Sequence, residues 1–436
     1  MVKYNLDALT FPPEYATMKL KNLCYADREE KHMNIAVAQS GGPTCAINAS
    51  LVGVFKESLK EPAIDAIFGS VNGIEGMIED HLIDLKTMIL TNEDMELLRQ
   101  TPSTVLGSCR YKLPDWHADE TVYKRILRTM QQRQIGAFFY IGGNDSMDTV
   151  QKLSAYFAEQ EIDIKVIGIP KTIDNDLCVT YHTPGFGSAA KYVAATLQEI
   201  IRDSSVYSIP SVTIVEVMGR HAGWLTASGA VLHSLGEAAP HLIYVPEAEF
   251  SLEKFMKDVR QEMAKHKAVI VAVSEGIEVP EGVQSGVVDN FGHKYLSGIG
   301  SYLERAVRAE IGCKVRSIEL NVMQRCSSHL CSRTDIDESE AIGAAGVCCA
   351  LQGGTGKVMV FRRLSDMPYT VTIETADAKE IANREKALPR AYINAAGNNI
   401  TDSALRYFMP LIQGELVIQM NHGVPAHFTI QESLLK

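Results

Sequence analysis

Residues 165–176, KVIGIPKTIDND, decide how the chain reads. Val166-Ile167-Gly168-Ile169 is a short apolar run rich in β-branched residues, the pattern of a buried strand. Pro170 has no N–H to give a neighbouring strand and closes it. Lys171, Thr172, Asp174, Asn175 and Asp176 follow at once. In an open α/β sheet, ligands bind in the crevice beyond the carboxyl ends of the strands. A cation, a hydroxyl and two carboxylates at such a place suit the handling of a charged fragment.

The same grammar recurs on both sides. Upstream, the strand 33–38 runs into Gln39-Ser40-Gly41-Gly42-Pro43-Thr44 and then into an apolar-periodic helix. Such a turn either cradles phosphate, with free backbone N–H groups and a helix dipole, or only connects two elements. The strand 137–141 runs into Gly142-Gly143-Asn144-Asp145-Ser146 and a second helix. There the polar pair is either a helix cap or a set of oxygens for a Mg²⁺–phosphate complex. The stretch 101–112 is a loop with two cations, Arg110 and Lys112, among hydroxyls. Downstream, the strand 211–217 delivers Met218-Gly219-Arg220, the strand 268–273 delivers Ser274-Glu275-Gly276, and 315–322 delivers Gln324-Arg325. Alternating strands and helices of this kind predict an α/β protein: two Rossmann-like domains with mainly parallel sheets, and a site in the cleft at the strand carboxyl ends.

Length and composition set the outer bounds. The chain has 436 residues, 46% of them hydrophobic and 22% charged, as in an ordinary globular protein of more than one domain. No apolar run approaches the ~18–20 residues of a membrane span, and the N-terminus lacks the pattern of a secretory signal. Nine scattered cysteines without a CxxC fit reduced thiols in a cytoplasmic protein. A net charge of −11 argues against nucleic acid or an anionic membrane as partner. The expected divisions are an N-terminal extension (1–32), a first α/β domain (33–170) completed by later segments, and a second α/β domain (171–350). A C-terminal segment (351–436) returns to pack on both.

Taken together, the strand-end groups supply phosphate cradles, cations, oxygens for a metal and a carboxylate base. Phosphoryl transfer needs these parts, because its catalysis is mostly positioning and electrostatics. The chain resembles the phosphofructokinase family from about residue 34 to 349. SGGPTCAIN, LGSCR, GGNDS, PKTIDND, VEVMGRHAGWLT, SEG and VMQR stand in the family's order. The resemblance implies that Asp174 is the base for the sugar's 1-hydroxyl, with Lys171, Thr172 and Asp145 in the catalytic group. It implies a substrate pocket from Thr172, Ile173, Asp174, Met218, Gly219, Arg220, Glu275 and Arg325, and donor contacts from Gly42, Arg110, Gly143 and Asp145. It further implies Mg²⁺ as cofactor, held at Asn144 or Asp145, and a homodimer or homotetramer.

Two positions bear on the donor. ATP-using members of the family carry glycine in place of Lys171 and of Asp145, whereas pyrophosphate-using members resemble this chain. Asp145 puts a carboxylate where the α-phosphate of ATP would lie, and like charges there oppose binding. The reading is therefore pyrophosphate-dependent phosphorylation of fructose 6-phosphate to fructose 1,6-bisphosphate, reversibly. The alternatives are ATP as donor, sedoheptulose 7-phosphate as a further acceptor, and a non-catalytic regulatory subunit. The chain departs from the family pattern at Asn144, where Asp is usual, at Ser211, where ATP-using bacterial members have arginine, and at Cys326-Ser327-Ser328-His329, which replaces a Gly-Gly-Ser-Pro type loop.

Overall fold

A computed structural model describes residues 32–278 and 298–430. The N-terminal extension expected over 1–32 lies outside the described residues apart from His32, and so does most of the glycine-rich loop expected near 284–300.

The chain forms two main sheets. The first uses β1 (Met33–Gln39), β2 (Ile64–Ser70), β3 (Leu82–Asp84), β4 (Ile135–Gly142) and β5 (Lys165–Pro170). The second contains β6 (Ser211–Val217), β7 (Leu242–Tyr244), β8 (Ala268–Ser274) and β9 (Lys314–Glu319), in the order β7-β8-β6-β9, all parallel. Late in the chain, β10 (Lys357–Asp366) and β11 (Tyr369–Asp377) return to the first sheet, giving the order β11-β10-β5-β4-β1-β2-β3. That sheet is parallel except at its two edges, where β2–β3 and β10–β11 are antiparallel pairs. The expected mixed α/β architecture with mainly parallel sheets is present. Among the described residues, no helix is long and apolar enough to cross a membrane.

Parallel register is what gathers the polar turns. Gln39 pairs with Ile141 and Gly142 pairs with Pro170, so β1, β4 and β5 end side by side. On the second sheet Val217 pairs with Ser274, so the turns after β6 and β8 are neighbours too. The central strands are apolar throughout because helices cover both faces. The residues of β6 are buried along its whole length.

The helix Arg333–Leu351 differs from expectation. A division at residue 350 groups it with the second sheet, yet it packs on the helix Ile47–Ser58 of the first. The reason is steric. The helix is rich in Gly and Ala, and the two backbones touch: a Cβ on Gly53 would stand 1.8 Å from the Glu340 carbonyl oxygen, and one on Gly343 would stand 2.1 Å from that of Ser50. Ile47–Ser58 begins just after the Gly41-Gly42 turn, so this crossing also fixes that turn. Gly343→Ala is expected to force the helices apart and lower stability by about 1–3 kcal/mol, read as a lower urea midpoint. An unchanged midpoint would mean that the pair can part without loss.

Candidate active site

Lys171 lies at the centre of the site. Its backbone continues β5, with its N–H donating to the Gly142 carbonyl at 2.9 Å. The residue is 1% exposed, and its ammonium donates to the Gly42 carbonyl at 2.6 Å. Burial pulls its pKa down to about 7; Arg325 and Arg110 push the same way, against Asp174 and Asp176. Space for the ammonium exists because Gly41 has no side chain. At φ 76 it sits in the left-handed region, and a Cβ there would lie 3.3 Å from Nζ. The same point is 4.0 Å from the N–H nitrogen of Gly143, so the glycine turns after β1 and β4 face each other across the place where Lys171 ends.

The loop before residue 112 is stapled to the first turn. The Ser108 hydroxyl donates to the Gly41 carbonyl at 2.7 Å, and the Gly41 N–H donates to the Cys109 carbonyl at 3.3 Å. These bonds bring Arg110 to the site's edge. They also bring Lys112, whose ammonium pairs with the Asp145 carboxylate at 3.0 Å, with both side chains about half exposed. This partner for Asp145 is not legible in the sequence, where Lys112 is only one cation in a polar loop.

Asn144 has a different occupation from the one the resemblance implies. Its amide nitrogen donates to the Arg384 carbonyl at 2.7 Å, and its amide oxygen accepts the Asn383 N–H at 2.6 Å. Both ends are engaged in tying down the segment at 383–384, which leaves the neutral amide oxygen one lone pair and makes Asn144 a poor metal ligand. Nor do Asn144 and Asp145 cap their helix, whose N-cap is Gly143 without a side-chain bond. Among the described residues, no group of three or more His, Cys, Asp and Glu could hold a metal ion.

The opposite side of the site is built on Thr172–Asp176. The Thr172 hydroxyl accepts the Asp174 N–H at 3.1 Å, and its backbone is held by Pro184 and Thr183. Burial raises the Asp174 pKa; Lys171, Arg220, the Thr172 hydroxyl and Arg325 oppose this without reversing it. Burial and the charge of Asp174 push Asp176 up to about 7. Ile173 is buried beneath them.

From the second sheet come Met218-Gly219-Arg220 and Glu275. Gly219, at φ 139, donates its N–H to Glu275 Oε1 at 3.2 Å, and its carbonyl accepts the Ser274 hydroxyl at 2.7 Å. Gly276 is required beneath: a Cβ there would lie 2.0 Å from the Arg220 carbonyl oxygen. The Met218 N–H reaches Gln324 at 3.3 Å, which fixes the 3₁₀ turn Asn321–Arg325. The Arg325 guanidinium in turn lies 3.4 Å from where a Cβ on Gly42 would stand. The turns after β1, β5, β6 and β8 and the turn beyond β9 thus meet in one cleft. It holds a partly buried carboxylate, a buried ammonium and guanidinium groups, a set suited to polyanionic ligands. Asp145 lies at its more exposed edge.

Burial raises the pKa of Glu275 to about 7. A carboxyl with a raised folded pKa contributes stability that is present at low pH and is lost as pH rises through that value. Glu275→Gln keeps the acceptor for Gly219 without the charge. It is expected to gain on the order of 1 kcal/mol over the parent protein between pH 5 and pH 8, read from urea midpoints at both. Identical pH dependence in the two proteins would place that carboxyl in water.

Residues 34–337 match the phosphofructokinase family. The chain is 38% identical over 398 residues to a pyrophosphate–fructose 6-phosphate 1-phosphotransferase of Halomonas elongata, covering 90% of this chain and 94% of that protein. It is 34% identical over 364 residues to a sulfofructose kinase of Alkalicoccus urumqiensis, covering 83% of this chain and 92% of that one. Its fold superposes with a TM-score of 0.82 on the crystal structure of a pyrophosphate-dependent phosphofructokinase from Nitrosospira multiformis, at 34% identity, with 91% of this chain and 96% of that chain covered.

Proposed function

The chain belongs to the phosphofructokinase family, and from that premise we propose that it is a pyrophosphate-dependent member whose cleft performs the transfer with the residues described above. It moves a phosphoryl group from pyrophosphate to the 1-hydroxyl of fructose 6-phosphate, giving fructose 1,6-bisphosphate and phosphate. The observation that carries this reading is the buried Lys171 ammonium, set between the Gly42 carbonyl and the Asp174 carboxylate where both sheets end.

Asp174 takes the proton of the attacking hydroxyl. Burial has raised its pKa, which makes it a stronger base than an exposed aspartate. Lys171 stabilises the charge that spreads over the transferring phosphoryl group. An anionic donor favours its charged form, so binding restores the proton that burial discourages. Gly42, Gly143 and Arg110 line the donor's approach. Arg220, Arg325, Glu275, Met218 and Gly219, with Thr172 and Ile173, hold the sugar phosphate. The leaving group is phosphate, so the products resemble the reactants in bond type and the reaction runs in both directions.

Mg²⁺, when bound, supplies neutralising charge to the pyrophosphate oxygens. Mg²⁺ keeps phosphate and water ligands and needs only one or two protein oxygens. Asp145 is the carboxylate at this turn that can serve, since the amide oxygen of Asn144 is engaged by Asn383. On the same reading the protein acts in the cytoplasm as a homodimer or homotetramer.

The test is turnover of purified protein with pyrophosphate and with ATP, with and without Mg²⁺. Faster turnover with ATP would overturn the donor assignment. Asp174→Asn is expected to lower kcat by ~10²–10⁴-fold with the fold intact; unaltered turnover would remove Asp174 as the base. Asp145→Gly is expected to raise kcat/KM for ATP about tenfold or more, while leaving Lys112 without its partner. No gain with ATP would refute the charge argument. The similarity to a sulfofructose kinase is the reason to include other ketose acceptors in the same assay.

A further inference from the structure

Between the two carboxylates of the catalytic turn stands Asn175, fully buried and at φ 57 in the left-handed region. Its amide oxygen accepts the Thr183 N–H at 3.1 Å, and its amide nitrogen donates to the Tyr407 hydroxyl at 2.7 Å. The Tyr407 hydroxyl donates onward to the Tyr181 carbonyl at 2.6 Å. Into this knot comes Lys386 from the C-terminal segment. Its ammonium donates to the carbonyls of Tyr181 at 2.9 Å and Thr180 at 3.2 Å, and reaches the Asn175 amide oxygen at 3.4 Å. Its backbone N–H donates to the Asp176 carbonyl at 2.6 Å, beside a bridge between Leu177 and Glu385. Its carbonyl accepts the Trp224 indole N–H at 2.9 Å, and its ammonium lies 5.1 Å from the centre of that ring. Trp224 follows the Met218-Gly219-Arg220 turn, so one residue ties the catalytic turn to the second sheet.

We propose that Lys386 is a positioning residue for phosphoryl transfer: it fixes the Asp174-Asn175-Asp176 turn from behind and supplies positive charge that opposes protonation of the two neighbouring carboxylates there. The need follows from the charges in the cleft. Asp174 and Asp176 raise each other's proton affinity, and two phosphorylated substrates add more negative charge in front of them. Lys171, Arg220 and Arg325 act on Asp174. Asp176 faces the carboxylates of Asp174 and Glu385 and two cations, Lys171 in front and Lys386 behind, and Lys386 itself faces Asp176 and Cys178. Its ammonium has acceptors on the Asn175, Thr180 and Tyr181 side and an aromatic face on the other, which hold it in place; burial pulls its pKa down to about 7, and Asp176 favours its charged form against that.

The proposal rests on the phosphoryl-transfer reading. Turnover of the parent protein with pyrophosphate, measured in the same series, reports on that reading separately. The experiment is the pH dependence of kcat and of the fructose 6-phosphate KM for Lys386→Met. The expected result is a kcat lower by ~10–100-fold, as a misplaced turn produces, with KM changed less than about threefold. The acid limb of kcat is expected to move upward by ~0.5–1 pH unit, because the lost cation no longer favours the ionised carboxylates. Tyr407→Phe removes a bond of the same knot but keeps the charge, and is expected to lower kcat with the acid limb in place. Should Lys386→Met not fold, Lys386→Gln can still donate to the Tyr181 carbonyl and carries the test, with the same shift expected. A folded variant at position 386 with the parent kcat, or with reduced kcat and an unmoved acid limb, overturns the proposal.

Discussion

A buried ammonium ion needs partners, and the architecture of the cleft follows from supplying them to Lys171. Removing such a group from water is costly unless acceptors and opposite charge replace the solvent. Here the acceptor is a carbonyl of the first glycine turn, and the opposite charge stands three and five residues further along the same turn. A side chain at Gly41, in the turn after β1, would crowd the ammonium, and β4 and β5 must end level for Lys171 to stand between the glycine turns. The partners are also incomplete. Burial first, and then the repulsion of Arg325 and Arg110, pulls its pKa down to about 7. A site short of negative charge is one that a polyanion completes, so the same electrostatics favour phosphorylated ligands.

The second sheet is subject to the same constraint. Glu275 and Arg220 sit close enough to affect Asp174, but only because Gly219 and Gly276 let two backbones approach within contact distance. The Glu275 carboxylate both accepts the Gly219 N–H and adds to the negative charge that Lys171 and the arginines must balance. The two sheets are therefore coupled by charge as well as by packing. A change at Glu275 reaches Asp174, and one at Asp174 reaches Lys171.

Much of this was legible in the sequence because a strand that ends in a glycine-rich or charged turn is a local signal, and parallel topology then brings such turns together without further information. Residues 165–176, 142–146 and 218–220 could each be read in isolation. What was not legible depends on distant contacts. Lys386 lies 211 residues from Asn175, in a mixed polar stretch without periodicity. Tyr407 lies in a C-terminal region that carries no motif, yet it touches Asn175 and Tyr181. The helix Arg333–Leu351 falls inside the range 171–350 yet packs on Ile47–Ser58, and only the close crossing at Gly53 and Gly343 shows what its small residues are for.

Asn144 joins these threads. The family pattern has aspartate at this position, and from sequence the amide reads only as a poorer metal ligand. The structure gives it a task that a carboxylate cannot do. A carboxylate could accept the Asn383 N–H, but it has no proton to donate to the Arg384 carbonyl and would face that oxygen with like charge. The amide satisfies both. It thereby anchors 383–384, two residues before Lys386 reaches the Asp176 carbonyl. The turns after β4 and β5 are thus held by one segment arriving from the far end of the chain. The amide gives up a carboxylate oxygen at the cleft and gains a clamp between the two turns that flank Lys171. Phosphoryl transfer rests on fixed geometry and placed charge more than on covalent chemistry by the protein, so a clamp of this kind bears on the reaction as directly as one more oxygen would.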